Sequence, residues 1–167
     1  MMPALKTPDL EQDFRNSMAS LAASVCVVTA GEGEDRLGRT VTAVFSLSVR
    51  PPTIMVSIAK SSDLAALILS RGGFSIAMLS EGQNPVADAF AGKLSPRDRF
   101  DIGIWTSWDT GNPCLQDAVT SMDCEVTNQM TVQDHILFAG QARDLVQGLD
   151  RAPLVWHDRR YGSVVSR

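Results

Sequence analysis

The sequence predicts a mainly β domain whose strands close, or nearly close, into an antiparallel barrel flanked by short helices. Three observations point there: about seven β-branched or alternating segments, only three short helical patterns, and no regular strand–helix–strand alternation of the kind that builds parallel sheets. At 167 residues, 44% of them hydrophobic and 20% charged, residues 1–167 fit a single domain able to bury a core of its own.

The elements follow in order. Residues 1–12 read as a flexible N-terminal arm, within which Thr7-Pro8-Asp9 carries helix-start chemistry: a cap, an early proline and an acid. Leu10, Phe14, Met18 and Leu21 then recur at helical spacing as one apolar stripe. Val25 to Thr29 is short, β-branched and closed by Gly31-Glu32-Gly33, a buried strand followed by a turn. Thr40 to Ser48 reads as one uninterrupted strand up to Pro51-Pro52, and Thr53 to Ile58 as the next. Ser61 or Ser62 caps a helix with Leu64, Leu67 and Ile68 inside and Gly72-Gly73 at its end. Phe74 to Leu79 is a strand; Asn84 to Ala91 is a helix with Val86, Ala87, Phe90 and Ala91 on one side. Gly92 to Pro113 reads as a polar loop carrying Trp105 and Trp108. Two long strands, Ala118 to Gln129 and Asp134 to Val146, flank a turn without glycine, and Leu154 to His157 and Tyr161 to Val165 close the chain.

Composition excludes several functions. The net charge of −4 is spread over scattered basic residues, so no basic face exists for nucleic acid or an anionic membrane. No apolar run reaches the ~18–20 residues of a membrane span, and Met1 to Leu10 lacks the layout of a signal peptide. Cys26, Cys114 and Cys124 lie far apart, with no Cys-x-x-Cys pair and no nearby histidine; this argues against a disulfide framework or a metal site and places the protein in a reducing cytoplasm. No Gly-x-Gly-x-x-Gly, Walker loop or Gly-x-Ser-x-Gly elbow is present.

Three segments carry candidate chemistry, each with a plain alternative. Thr40 to Ser48 alternates small hydroxyl and apolar residues: an amphipathic strand, or a wall whose small side chains admit a flat ring to the backbone. Ala59-Lys60-Ser61-Ser62 joins a strand to a helix start, which is either an ordinary cap or a phosphate site built from free N–H groups, hydroxyls and a lysine. His135 follows Asp134 directly, so it is either structural or a histidine held in one tautomer toward a ligand.

Taken in order, these segments resemble the flavin reductase-like domain family. Phe14-Arg15, Met18 and Leu21 with Ser24 to Thr29 are similar to its opening, and Thr40 to Pro52 to its Thr/Ser-rich stretch ending in two prolines. Gln83, Ala87, Phe90 and Ala91, then Arg99-Phe100, Cys124-Glu125-Val126, Asp134-His135-Ile136 and Pro153-Leu154-Val155 before Tyr161 match its later motifs. Two positions depart from it. Gln133 stands where the family has the glycine of Gly-Asp-His, and Thr42-Ala43 replaces its paired serines, removing one hydroxyl.

The resemblance implies a split β-barrel homodimer, the reductase component of a two-component flavin-dependent monooxygenase. It would bind FMN or FAD noncovalently and exchangeably, oxidise NADH or NADPH, and pass reduced flavin to an oxygenase partner by transient contact or diffusion. Carried over by position, Thr40, Val41, Thr42, Ala43 and Ser46 would hold the ring and ribityl chain, and Ala59, Lys60, Ser61 and Ser62 the phosphate. Phe90 and Ala91 would wall the site, and His135, the catalytic candidate, would orient the nicotinamide nucleotide. Trp105 and Trp108 are candidates for the dimer interface or the flavin's rim, the competing reading being that they simply pack on their own barrel. A non-catalytic flavin- or haem-binding split-barrel carrier or sensor is the alternative in another class.

Overall fold

The computed structural model describes residues 9–166. The first helix, α1 (Leu10–Ala19), starts at an Asp9 cap whose carboxylate accepts from the Gln12 N–H at 3.2 Å. Helix therefore replaces the expected arm from Leu10 onward, while Thr7 and Pro8 lie outside the described residues. The stripe of Leu10, Phe14, Met18 and Leu21 forms as one face of the helix and is exposed among the described residues.

Strands β1 (Ala23–Ser24), β2 (Cys26–Ala30), β3 (Leu37–Val41), β4 (Val44–Val49) and β5 (Pro52–Ala59) come next. Helix α2 (Asp63–Arg71), strand β6 (Gly73–Met78) and helix α3 (Asn84–Asp88) follow. The remainder is β7 (Trp105–Ser107), β8 (Pro113–Leu115), β9 (Thr120–Val132), β10 (His135–Gln147), β11 (Val155–His157) and β12 (Arg160–Gly162). Helix α2 keeps the expected caps. Ser62 Oγ accepts from the Ala65 N–H at 3.1 Å, and Gly72 ends the helix at φ 69°, a left-handed conformation suited to glycine.

Two expectations are corrected by tertiary pairing. The Thr40 to Ser48 run is two strands broken at Thr42-Ala43, because β3 pairs with β2 whereas β4 pairs with β5. The region expected as a polar loop holds the β7–β8 hairpin and a short helical turn at Asp98–Asp101.

The main sheet runs β3-β2-β6-β9-β10-β5-β4, with antiparallel pairings throughout. Its two edge strands, β3 and β4, are consecutive in the chain and joined by Thr42-Ala43 alone, without a ladder among the described residues. The barrel is thus closed by covalent connection and left open as a seam, a split barrel. Inside it, α2 packs Leu64, Ala65 and Ile68 among Val28, Val56, Phe74 and Phe138. A second cluster, with Val25, Val27, Phe90, Phe100 and Leu115, fills the space between the sheet and α3 with the β7–β8 hairpin. Strand β2 serves both clusters through alternate residues, which explains why it is buried on both faces. Gly38 of β3 permits this close approach: a Cβ there would lie 2.5 Å from the Phe90 ring.

The β9–β10 hairpin turns through only Gln133 and Asp134, with Val132 opposite His135. Gln133 sits at φ 54°, where a side chain is disfavoured. Gln133→Gly is expected to stabilise the fold by about 0.5–1 kcal/mol, readable as a raised urea midpoint at constant m. A lowered midpoint would contradict this account of the turn.

Candidate active site

The seam brings several predicted residues together. The Thr42-Ala43 link is a tight bend in which the Val44 N–H donates to the Thr42 carbonyl at 2.9 Å. The Ala43 carbonyl accepts from the Ser57 N–H at 3.1 Å, tying the link to β5. Among the described residues, the N–H groups of Thr42 and Ala43 have no hydrogen-bond partner, so they remain available as donors. Two residues beyond Ser57, Ala59 lies directly opposite His135, and the Lys60 N–H donates to the Asp134 carbonyl at 2.8 Å. The β9–β10 turn, the end of β5 and the N-terminus of α2 therefore meet at one place. Sequence reading places Ala59–Ser62 and His135 in separate motifs; antiparallel register joins them.

The first turn of α2 presents unpaired backbone N–H groups beside the exposed Lys60 and Ser61, and its dipole favours an anion there. His135 is exposed, with Nδ1 2.9 Å from Asp134 Oδ1. That hydrogen bond holds the Asp134 carboxyl below its usual range. A carboxylate can only accept, so Nδ1 carries the proton and Nε2 is left free to meet a ligand.

Ser46 and Thr42 also line a cavity of about 600 Å³ bounded by Val44, Ile54, Met78, Met122 and Leu145. Lys60, Ser61, Ser62, Phe90, Ala91 and His135 are not part of that cavity. Thr42 is common to both regions, and they are ordered along β5: Ser46 opposite Ile54, Ala43 bonded at Ser57, Ala59 opposite His135. At about 3.3 Å per residue, Ile54 to Ala59 spans about 17 Å, enough for a ring system with a phosphate-bearing tail.

The remaining predicted residues take structural positions. The Thr40 hydroxyl donates to the Ala87 carbonyl at 2.6 Å and so pins β3 to α3. Val41 is half-buried and packs against the barrel core. Phe90 is buried, its ring 5.0 Å from Phe100 and 5.3 Å from Trp105; Ala91 next to it is exposed. Asp88 accepts from Lys93 at 2.7 Å and from the Tyr161 hydroxyl at 2.6 Å, and these bonds hold its carboxyl below the usual range.

Both tryptophans pack on their own barrel, the plainer of their two readings, with Trp108 buried and Trp105 half-buried. Trp108 is buried with Nε1 donating to Ser75 Oγ at 3.0 Å, and Trp105 donates to the Ile102 carbonyl at 2.9 Å beside Phe90 and Phe100. Sequence reading missed Ser57 and the backbone of Asp134; neither has a distinctive side-chain signal, since both act through main-chain groups. Burial pushes the Cys26 and Cys124 thiols up to about 12, so neither supplies a thiolate nucleophile at neutral pH.

Residues 18–164 match the profile of the flavin reductase like domain. The chain is 33% identical over 162 residues to the FMN reductase (NADH) RutF of Ancylobacter novellus, covering 96% of this chain and 90% of that one. It is 35% identical over 153 residues to the reductase component of a FADH(2)-dependent resorcinol hydroxylase from Rhizobium, covering 90% and 85%. The flavin reductase of styrene monooxygenase from Pseudomonas putida S12 superposes with a TM-score of 0.82 at 29% identity, covering 93% of this chain and 99% of that one. BorF, the flavin reductase component of a bacterial two-component tryptophan halogenase, gives 0.85 at 28% identity, with the same coverage of both chains. With a split barrel throughout and a profile match spanning nearly its whole length, this chain belongs to the flavin reductase like domain family.

Proposed function

We propose that this chain, acting as one domain over residues 1–167, is an NAD(P)H-dependent flavin reductase. It reduces a noncovalently held, exchangeable flavin and supplies it to a flavin-dependent oxygenase. The observation that carries the reading is the convergence at the seam of the free Thr42 and Ala43 N–H groups, the α2 N-terminus with Lys60, and His135. Backbone donors suit the oxygens and nitrogens of a flat ring, and a lysine at a helix N-terminus suits a phosphate. FMN with NADH is the pairing that the names of the RutF relatives favour; FAD and NADPH are the other combinations to assay.

When bound, the flavin supplies the hydride-accepting chemistry itself. The chain's residues bind and orient. Thr42 and Ala43 would donate to the ring from the backbone, with Ser46 along the same line and Thr40, Val41, Phe90 and Ala91 shaping the wall. Ala59, Lys60, Ser61 and Ser62 would hold the phosphate. His135, fixed at Nδ1 by Asp134, would turn Nε2 toward the pyridine nucleotide.

His135→Ala is expected to raise the Michaelis constant for the pyridine nucleotide about three- to tenfold and to leave flavin affinity nearly unchanged. A fall in turnover of about 10²–10⁴ at saturating nucleotide would identify an obligatory proton donor instead.

We further propose a homodimer working in the cytoplasm. Phe45, Leu47 and Val49 on β4, with Met130 and Val132 on the β9–β10 hairpin and Phe14 on α1, are exposed apolar side chains that a second copy would cover. Sedimentation giving an 18.0 kDa species at micromolar concentration would contradict the dimer. The three cysteines are all free, which suits a reducing compartment.

A further inference from the structure

Most ion-paired arginines of this protein follow one pattern: Arg97 meets Glu34, Arg143 meets Glu125, Arg151 meets Asp117 and Arg160 meets Asp158. Of the described residues, Arg36, Arg39, Arg50, Arg71, Arg99 and Arg159 stand outside it, and of these Arg39 and Arg99 act on each other. Among the described residues neither has a carboxylate within salt-bridge distance, although acids outnumber bases 19 to 15 over the chain. They are neighbours. Arg99 Nη1 donates to the Gly38 carbonyl at 3.0 Å, the residue just before Arg39, and Nε donates to the Leu94 carbonyl at 3.1 Å. Those two carbonyls fix the guanidinium and leave three of its five N–H donors without a partner among the described residues. Burial, and after it the charge of Arg39, depresses the Arg99 pKa, so the two like charges act on each other.

A half-buried guanidinium held rigidly by carbonyls, with free donors and a second uncompensated guanidinium beside it, is a preorganised receptor for an anion. Its place narrows the ligand. Arg39 immediately precedes Thr40-Val41-Thr42-Ala43 on β3, the strand that forms one side of the seam. We propose that Arg39 and Arg99 form a phosphate-binding pair at the free edge of β3, recognising a phosphate of a nucleotide held in the seam. This rests on the reductase reading for the nucleotide's identity. The shared chemistry is a phosphate group, carried either by the flavin or by the pyridine dinucleotide.

Direct titration tests this without turnover. Riboflavin, FMN, FAD, NADH and NADPH are each titrated against the full chain, Arg39→Ala, Arg39→Lys and Arg99→Lys, with thermal melts recorded alongside. Arg39→Ala should weaken a phosphate-bearing ligand about three- to tenfold and leave riboflavin within about twofold; Arg39→Lys should restore much of the loss. Arg99→Lys keeps the charge and loses the fork, and should weaken the same ligand about tenfold. Loss confined to FMN and FAD assigns the phosphate to the flavin, and loss confined to NADH and NADPH assigns it to the dinucleotide; either supports the pair. The proposal is overturned if Arg39→Ala binds every ligand like wild type, or if riboflavin weakens as much as FMN. Absence of NAD(P)H oxidation by wild type with any flavin would instead defeat the reductase reading, and the binding comparison would still decide the phosphate question.

Discussion

Lys60→Ala is expected to raise the dissociation constant of a phosphate-bearing flavin about tenfold or more and to leave the melting temperature unchanged. Lys60 is exposed, and its side chain has no intramolecular ion pair among the described residues, so the fold does not depend on it. Its backbone N–H, bonded to the Asp134 carbonyl, survives the substitution. A lysine over the α2 N-terminus adds a charge-assisted hydrogen bond to a phosphate already met by backbone N–H groups, worth about 1.5–3 kcal/mol when desolvated by the ligand. Riboflavin, lacking the phosphate, should bind wild type and variant alike. Equal losses for riboflavin and FMN would place Lys60 near the ring, and no loss for either would return Ala59–Ser62 to a plain helix cap.

Asn112→Ala should produce the largest loss of stability, about 2–4 kcal/mol, or a fall in Tm of about 5–15 °C for a chain this size. Asn112 and Asp123 are each only 3% exposed. Asn112 Oδ1 accepts from the Gly31 N–H at 3.2 Å, while Nδ2 donates to Asp123 Oδ1 at 3.0 Å. Thr110 Oγ1 donates to the other Asp123 oxygen, Oδ2, at 2.8 Å. Alanine strands a buried N–H and removes one partner of a buried carboxyl group, and each loss carries a desolvation cost. A change under about 0.5 kcal/mol by urea titration would show that the network is not cooperative.

How much of this was legible in the sequence depends on the range of the forces involved. Helix α2 was read nearly to the residue, because Ser62 and Gly72 are local signals that act within one turn. Strands β2 and β5 were also legible as short β-branched runs. The break at Thr42-Ala43 was not. No turn residue marks it, and the chain bends there only because β3 and β4 belong to opposite edges of the same sheet. The β7–β8 hairpin was missed because its strands are three residues each, too short for alternation to register. The stripe on α1 was read correctly as apolar; periodicity says which face is apolar but not what covers it, and among the described residues that face is exposed.

The candidate site shows the same division. Ala59–Ser62 and His135 announce themselves by residue type, yet their meeting depends on the register that puts Ala59 opposite His135. Phe90 carries a family position but is used as a packing ring between Phe100 and Trp105. Arg39 and Arg99 lie sixty positions apart and are joined only by the bond from Arg99 to the Gly38 carbonyl. The free N–H groups of Thr42 and Ala43 could not be read from side chains at all, since they exist because the ladder stops there.

The central claim is that the chain turns over pyridine nucleotide with flavin and does not merely hold the flavin. The most direct measurement is the decline of NADH absorbance on mixing purified protein with NADH and substoichiometric protein relative to added FMN, repeated with FAD, riboflavin and NADPH. The account predicts rapid, flavin-dependent oxidation through many turnovers, with the flavin acting as a diffusible substrate. Flavin binding detected by fluorescence quenching, together with nucleotide oxidation no faster than in the protein-free control, would contradict it and make this split barrel a carrier.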